Sequence, residues 1–155
     1  MRWTPAGARL GPRCGTRPFT YLLDTDILSN LLKRPPSTLL IAELASVPPG
    51  QQFTSSITLG ELFYGADRLQ ERATHLLRQL NETLLPNLPV LPFDSDAAVR
   101  YGEVRAELER LGTPLGDADL RIGAIALARG LVVVTGNVRH FQRIPELSVE
   151  NWLEP

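Results

Sequence analysis

The sequence predicts an α/β fold, with a short central parallel sheet flanked by helices. Three observations carry that expectation. Short apolar runs rich in β-branched residues alternate with stretches of helical periodicity. Breakers mark the joints between them, at Pro35-Pro36-Ser37, Pro48-Pro49-Gly50, Gly112-Thr113-Pro114 and Arg129-Gly130. Polar residues follow directly on two of the apolar runs, at Asp24-Thr25-Asp26 and near Asn137. Strands that alternate with helices pair in parallel, and no internal repeat or inter-domain linker interrupts the pattern.

The composition bounds the function. With 155 residues, 43% of them hydrophobic, the chain has enough material for one packed domain. No apolar run reaches the roughly 18 residues of a membrane span, so no membrane partner is expected. A single cysteine, Cys14, and two histidines, His75 and His140, exclude a disulfide framework and a cysteine-rich zinc site. That usage fits a reducing, cytoplasmic setting. The net charge is only -1, yet Arg2, Arg9, Arg13 and Arg17 all fall in the first nineteen residues, which hold no acid. The body of the chain is therefore acidic, and acid gathered in a cleft favours divalent cations.

Residues 1–18 are rich in Gly, Pro and Arg and lack both periodicity and the apolar core of a secretory signal. They are expected to form a disordered basic leader, an upstream mis-start before a domain that occupies residues 19–155. Phe19 to Leu23 reads as a buried strand, followed by a helix through Ile27, Leu28, Leu31 and Leu32 and a second helix from Thr38 to Ser46. Gln52 to Thr54 is the next strand, with Ser55 or Ser56 capping a helix that carries Ile57, Glu61 and Tyr64. Asp67 to Leu85 shows one apolar stripe, Leu69, Ala73, Leu76, Leu77, Leu80 and Leu84, and reads as a surface helix. Val90 and Leu91 make a short strand, and Asp94-Ser95 caps a helix whose buried stripe is Tyr101, Val104, Leu108 and Leu111. The last helix and strand lie in the stretch from Gly116 to Phe141, with an edge segment from Leu147 to Trp152.

Four polar residues stand out because this topology brings them to one edge. Ligands of open parallel sheets bind outside the carboxyl ends of the strands. Asp24 ends the first strand and Asn137 lies just past the strand from Leu131 to Thr135. Glu61 and Asp119 lie near helix N-termini on the same edge, where the helix dipole helps a carboxylate stay ionised. Carboxylates in one cleft repel unless a cation intervenes, and hard oxygen donors select Mg²⁺ or Mn²⁺. That chemistry suits phosphodiester cleavage without a side-chain nucleophile.

Each residue also has a purely structural use. Asp26 is expected to cap the helix at Ile27 and Asp117 the helix from Ala118. Asp117 sits about 200° round the helix from Asp119, so the two cannot both face one site. Asp119 shares its face with Ile122, Gly123 and Ala126, an apolar surrounding that calls for a partner or a metal. Glu61 alone would be a solvated acid and Asn137 alone a turn residue.

The motifs Tyr21-Leu-Leu-Asp-Thr-Asp-Ile-Leu-Ser29, Ser56-Ile-Thr-Leu-Gly-Glu-Leu-Phe-Tyr-Gly65, Gly116-Asp-Ala-Asp-Leu-Arg-Ile-Gly-Ala124 and Val134-Thr-Gly-Asn-Val-Arg-His-Phe141, closing with Val149-Glu-Asn-Trp152, resemble those of PIN-domain ribonucleases of the VapC toxin type. The resemblance spans Tyr21 to Trp152. It implies that Asp24, Glu61 and Asp119 hold the metal and act in catalysis, with Asn137 as the fourth catalytic position, where the family often has Asp. Thr25 and Thr135 would orient ligands or water. Gly123 stands where the family commonly has Ala, a packing variant.

The resemblance further implies a Mg²⁺- or Mn²⁺-dependent endoribonuclease, the toxin of a type II toxin-antitoxin pair that cleaves structured RNA such as tRNA and is silenced by a VapB-like antitoxin. The Phe63-Tyr64 surface and the Leu69 to Leu84 stripe would form the groove for that antitoxin, or a homodimer seam. Lys33 is the only lysine, so RNA contacts fall mainly to arginines, with Arg121, Arg139 and His140 nearest in sequence to the site. Two other readings stand beside this one. The Asp24-Thr25-Asp26 triplet is similar to that of haloacid dehalogenase-like phosphatases, with Asp24 as nucleophile, although Leu28 and the early Lys33 depart from their pattern. The other is a catalytically silent PIN-like binding module.

Overall fold

In the computed structural model, which describes residues 19–70 and 73–155, the apolar run after Phe19 forms β1, Tyr21–Leu23. The expected leader lies outside the described residues. The other strands are β2, Gln52–Ser55, β3, Val90–Leu91, β4, Val132–Val134, and β5, Val149–Glu150. All pair in parallel, in the order β3-β2-β1-β4-β5. The chain thus builds outward from β1 to one side and then returns to build the other side from β4. The carboxyl ends of β1 and β4 flank the point where that direction reverses, the place where open α/β sheets bind ligands.

Alternation along the strands divides the core in two. Tyr21, Leu23, Val132 and Val134 face a cluster with Ile27, Leu28, Leu31, Leu40, Leu44 and Trp152. Leu22 and Val133 face the opposite cluster, with Leu108, Leu120, Ile122, Ile125 and Phe141. Of the helices, α1, Thr25–Leu31, α2, Thr38–Ala45, α5, Ser95–Arg110, α6, Asp117–Arg129, and α7, Val138–Phe141, supply these residues; α3, Ser56–Arg68, adds Leu62 to the first cluster, and α4, Ala73–Gln79, buries none of its own. Two caps form as expected: Ser55 Oγ accepts the Thr58 N–H at 3.0 Å and Asp94 Oδ1 the Ala97 N–H at 3.0 Å. Gly130, at φ 66°, ends α6 in the left-handed conformation that glycine adopts without steric cost.

Four expectations need correction. α1 begins at Thr25, with Asp24 in the N-cap position, so Asp26 lies inside the first turn and is no cap. α6 begins at Asp117 itself, with Gly116 at the N-cap. The stretch from Asp67 to Leu85 is not one helix: α3 runs through to Arg68, Gln70 takes φ 48°, and α4 passes into a wider π-helical turn over Leu80–Leu84. Leu111 is 59% exposed, because α5 ends before it and Gly112, at φ 72°, turns the chain away. Gly123 is explained by packing, since a Cβ there would run into Ile144 Cδ1.

Candidate metal and nuclease site

Asp24 is delivered by the strand that ends one residue before it. Its N–H donates to Val134 O at 3.0 Å, which continues the β1–β4 ladder and fixes the side chain over the end of β4. The carboxylate is only 6% exposed. Thr135 Oγ1 donates to its Oδ2 at 2.8 Å. Burial pushes the Asp24 carboxyl up from 3.8 to about 7; a hydrogen bond from the Thr25 backbone opposes this, the charges of Asp26 and then Asp119 add to it, and the Thr135 hydroxyl opposes it.

The neighbouring carboxylates are held by different elements. Glu61, on α3, accepts the Thr25 hydroxyl at 2.6 Å, with Thr58 Oγ1 3.3 Å from that hydroxyl. Asp119, on α6, lies 3.0 Å from His140 Nδ1. Asp26 accepts the Gly136 N–H at 2.8 Å and stands 3.4 Å from Thr135 Oγ1. A Cβ at Gly136 would come within 2.7 Å of Asp26 Oδ2, so glycine permits this close approach. The Asn137 N–H donates to Thr135 Oγ1 at 2.9 Å, and its side-chain amide lies 2.8 Å from His140 Nδ1.

Asp24, Asp26, Glu61, Asp119 and Asn137 line one open cleft of about 390 Å³, together with Thr25, Ser29 and Lys33. All four residues expected from the sequence therefore line the same cleft, and Asp26 lines it with them. Among the described residues no arginine or lysine pairs with any of these four carboxylates. No three His, Cys, Asp or Glu side chains among the described residues are grouped closely enough to hold a metal ion as they stand. Glu61 is turned to Thr25 and Asp119 to His140. The carboxylates nevertheless fit a hard cation: their donors are all oxygen, they are negative, and the most buried of them is paired with no arginine or lysine among the described residues.

Two contributors escaped the sequence reading. Ser29 follows Thr25 by four on the face of α1 that runs along the cleft, and Lys33 reaches the cleft from just past the end of that helix. Other expectations are redirected. Arg121 stands 2.7 Å from Asp117, outside hydrogen-bond geometry, and stacks over Phe93 and Tyr101, so it belongs to a separate cluster. Arg139 is exposed, and His140 contacts Asp119 and Asn137 directly. An apolar groove of about 670 Å³ adjoins the cleft and shares Thr25, Ser29, Lys33 and Glu61 with it. Leu32, Leu62, Ala66, Leu69, Leu76 and Leu80 line it, whereas Phe63 packs on the core and Tyr64 points away with Arg68.

A short parallel sheet with carboxylates converging at its switch point defines a class of nuclease-like α/β domains, and comparison with known proteins specifies which. The sequence profile of the PIN domain matches residues 21–147, and the chain belongs to the PIN domain family. It is 40% identical over 132 residues to the tRNA(fMet)-specific endonuclease VapC of Salmonella typhimurium, a match that covers 85% of this chain and 97% of the relative. The solved structure of DNA-bound VapBC from Salmonella typhimurium superposes with a TM-score of 0.78 at 40% identity, covering 86% of this chain and 98% of that one. FitAcB from Neisseria gonorrhoeae gives a TM-score of 0.81 at 28% identity over 88% of this chain and all of that one. Family membership sets aside the haloacid dehalogenase reading of Asp24.

Proposed function

We propose that this chain is a Mg²⁺- or Mn²⁺-dependent endoribonuclease, the toxin of a VapBC-type module, that hydrolyses phosphodiester bonds in structured RNA such as tRNA. One observation carries the reading: Asp24, a buried carboxylate that no arginine or lysine among the described residues pairs with, lines a cleft shared with Glu61 and Asp119. A protein gains no stability from such a charge unless something else occupies the site. The identity to VapC proteins named as ribonucleases, and to a tRNA(fMet)-specific one, supports the substrate class.

Asp24, Glu61 and Asp119 would hold the ion. When bound, it supplies positive charge to a phosphate oxygen and to the attacking water. The remaining work falls to the protein. Thr135 orients Asp24, and its hydroxyl is in turn fixed by the Asn137 N–H. Thr25 holds Glu61 toward the cleft. Asn137 completes the catalytic set at the end of β4. Among the described residues that line the cleft, Lys33 supplies a positive charge, where it can meet an RNA phosphate. The apolar groove beside the cleft suits one face of a helix from a small VapB-like antitoxin, and a cytoplasmic location follows from the substrate and that partner. No helix among the described residues is long and apolar enough to cross a membrane.

The test is cleavage of labelled tRNA by the purified chain, with Mg²⁺ or Mn²⁺ against EDTA. Cleavage should need the ion and should be lost in Asp24→Ala and in Asp119→Ala. Undiminished cleavage in either variant, or in EDTA, would refute the mechanism. Metal binding without cleavage would indicate a silent module.

A further inference from the structure

His140 Nδ1 is within hydrogen-bond distance of two groups at once, Asp119 Oδ2 at 3.0 Å and the end of the Asn137 amide placed as Nδ2 at 2.8 Å. The carboxylate can only accept, so the contact with Asp119 is favourable only if Nδ1 carries the hydrogen. A bare Nδ1 would set its lone pair against the carboxylate oxygen. With a hydrogen on Nδ1, that atom cannot also accept from an amide NH₂. The two ends of an asparagine amide are nearly alike in size, and hydrogen-bond partners decide which end lies where. The partner here is a donor, so the Asn137 end that meets His140 has to be the carbonyl oxygen. The NH₂ group is then the end left for the cleft, and no side-chain partner holds it among the described residues.

We infer that His140 is a positioning residue that locks Asp119 and the Asn137 amide together, so that Asn137 presents N–H donors, not an oxygen, to the cleft. Asn137 is thereby matched to an anionic oxygen of the substrate, while the ion is left to the carboxylates. The placement is rigid, because Asn137 is tied by its own N–H to Thr135 and His140 precedes the buried Phe141 on α7. The orientation of the amide stands on geometry alone; its contact with an RNA phosphate rests on the ribonuclease reading above.

Two measurements separate these layers. In ¹⁵N NMR of the free wild-type protein, the neutral His140 ring should carry its proton on Nδ1. A neutral ring protonated on Nε2 with Nδ1 bare would overturn the inference. The second measurement uses Asn137→Ala and His140→Ala, checked for folding by thermal unfolding. Mn²⁺ affinity of Asn137→Ala by calorimetry should stay within about twofold, while its affinity for labelled tRNA(fMet) in EDTA should fall about tenfold, the scale of one hydrogen bond to a charged group. His140→Ala should weaken RNA binding too, and the double variant should be little worse than Asn137→Ala alone, since both act through one amide. A tenfold loss of Mn²⁺ affinity with unchanged RNA binding would make Asn137 an oxygen ligand and refute the assignment, as would no change in either. If wild-type protein neither binds nor cleaves tRNA while His140 carries its proton on Nδ1, the ribonuclease reading fails and the amide orientation stands.

Discussion

Asp117 and Asp119 stand two residues apart on the first turn of α6, yet the fold treats them in opposite ways. Asp117 is exposed and surrounded by answering groups: Arg121 lies 2.7 Å away and the Tyr101 hydroxyl donates to it at 2.5 Å. Arg105 donates in turn to that hydroxyl at 2.9 Å, and Arg121 stacks on Phe93 and Tyr101. Asp119 is half-buried, meets His140 as its ion-pairing partner among the described residues, and lines a cleft with three more carboxylates. Spacing along the chain does not separate a structural acid from a reactive one. The groups around it do: Arg121 stands beside Asp117 within the fold, whereas among the described residues no arginine or lysine stands beside Asp119, which is why the proposed function gives it to an ion.

The largest effect expected from that contrast is on turnover. Asp119→Asn keeps size and shape but removes the charge, and should lower kcat/KM for tRNA cleavage on the order of 10²–10³-fold, the scale of losing a preorganised electrostatic contact. Asp117→Asn should leave it within about twofold. Steady-state cleavage of one labelled tRNA by both variants decides the matter. Comparable losses in the two would erase the distinction.

Asp24 sharpens the same contrast through stability. Its folded-state carboxyl titrates at about 7 against an ordinary value of 3.8, so between these pH values the folded protein binds the extra proton. Its contribution to stability is therefore full below about pH 4 and is lost as the pH rises through about 7. Without metal, the wild type should lose a few kcal/mol from this group between pH 4 and 8, and Asp24→Asn should be the more stable protein at pH 8. Urea unfolding in EDTA across that range measures both. Adding Mn²⁺ at pH 8 should reverse the order, because only the wild type keeps the charge that binds it. A wild type as stable as Asp24→Asn at pH 8 in EDTA would mean that the buried charge has a cation of its own.

Much of this was legible in the sequence because it depends on local pattern. Val132–Val134 and Tyr21–Leu23 are apolar runs too short for helices, and the polar residues after them had to fall at strand ends. Asp24 and Asn137 could be brought to one edge on that ground, and Glu61 and Asp119 by their places near the starts of helices that begin there. Features that depend on a distant partner were hidden. Asp26 reads as a cap from its neighbours, but its partner is the Gly136 N–H, 110 positions away. The apolar stripe after Asp67 continues across a turn of the backbone at Gln70, so periodicity alone runs the two helices together. His140 could be placed near the site but not given a partner, because its contact with Asp119 joins α6 to α7.

The smallest effect tests the other side of the comparison. Tyr101→Phe removes the hydroxyl that links Asp117 to Arg105 but keeps the ring that packs edge-on to Phe93, with centroids 5.8 Å apart. One hydrogen bond to a charged but exposed group is worth at most about 1 kcal/mol, and the ion pairs around it are screened by salt. The variant should unfold with less than about 1 kcal/mol lost at low ionic strength and less still in high salt, and its cleavage rate should match the wild type. A rate loss in Tyr101→Phe near that of Asp119→Asn would instead join the two clusters into one functional unit across α6, and Asp117 would have to be counted with the site it was separated from.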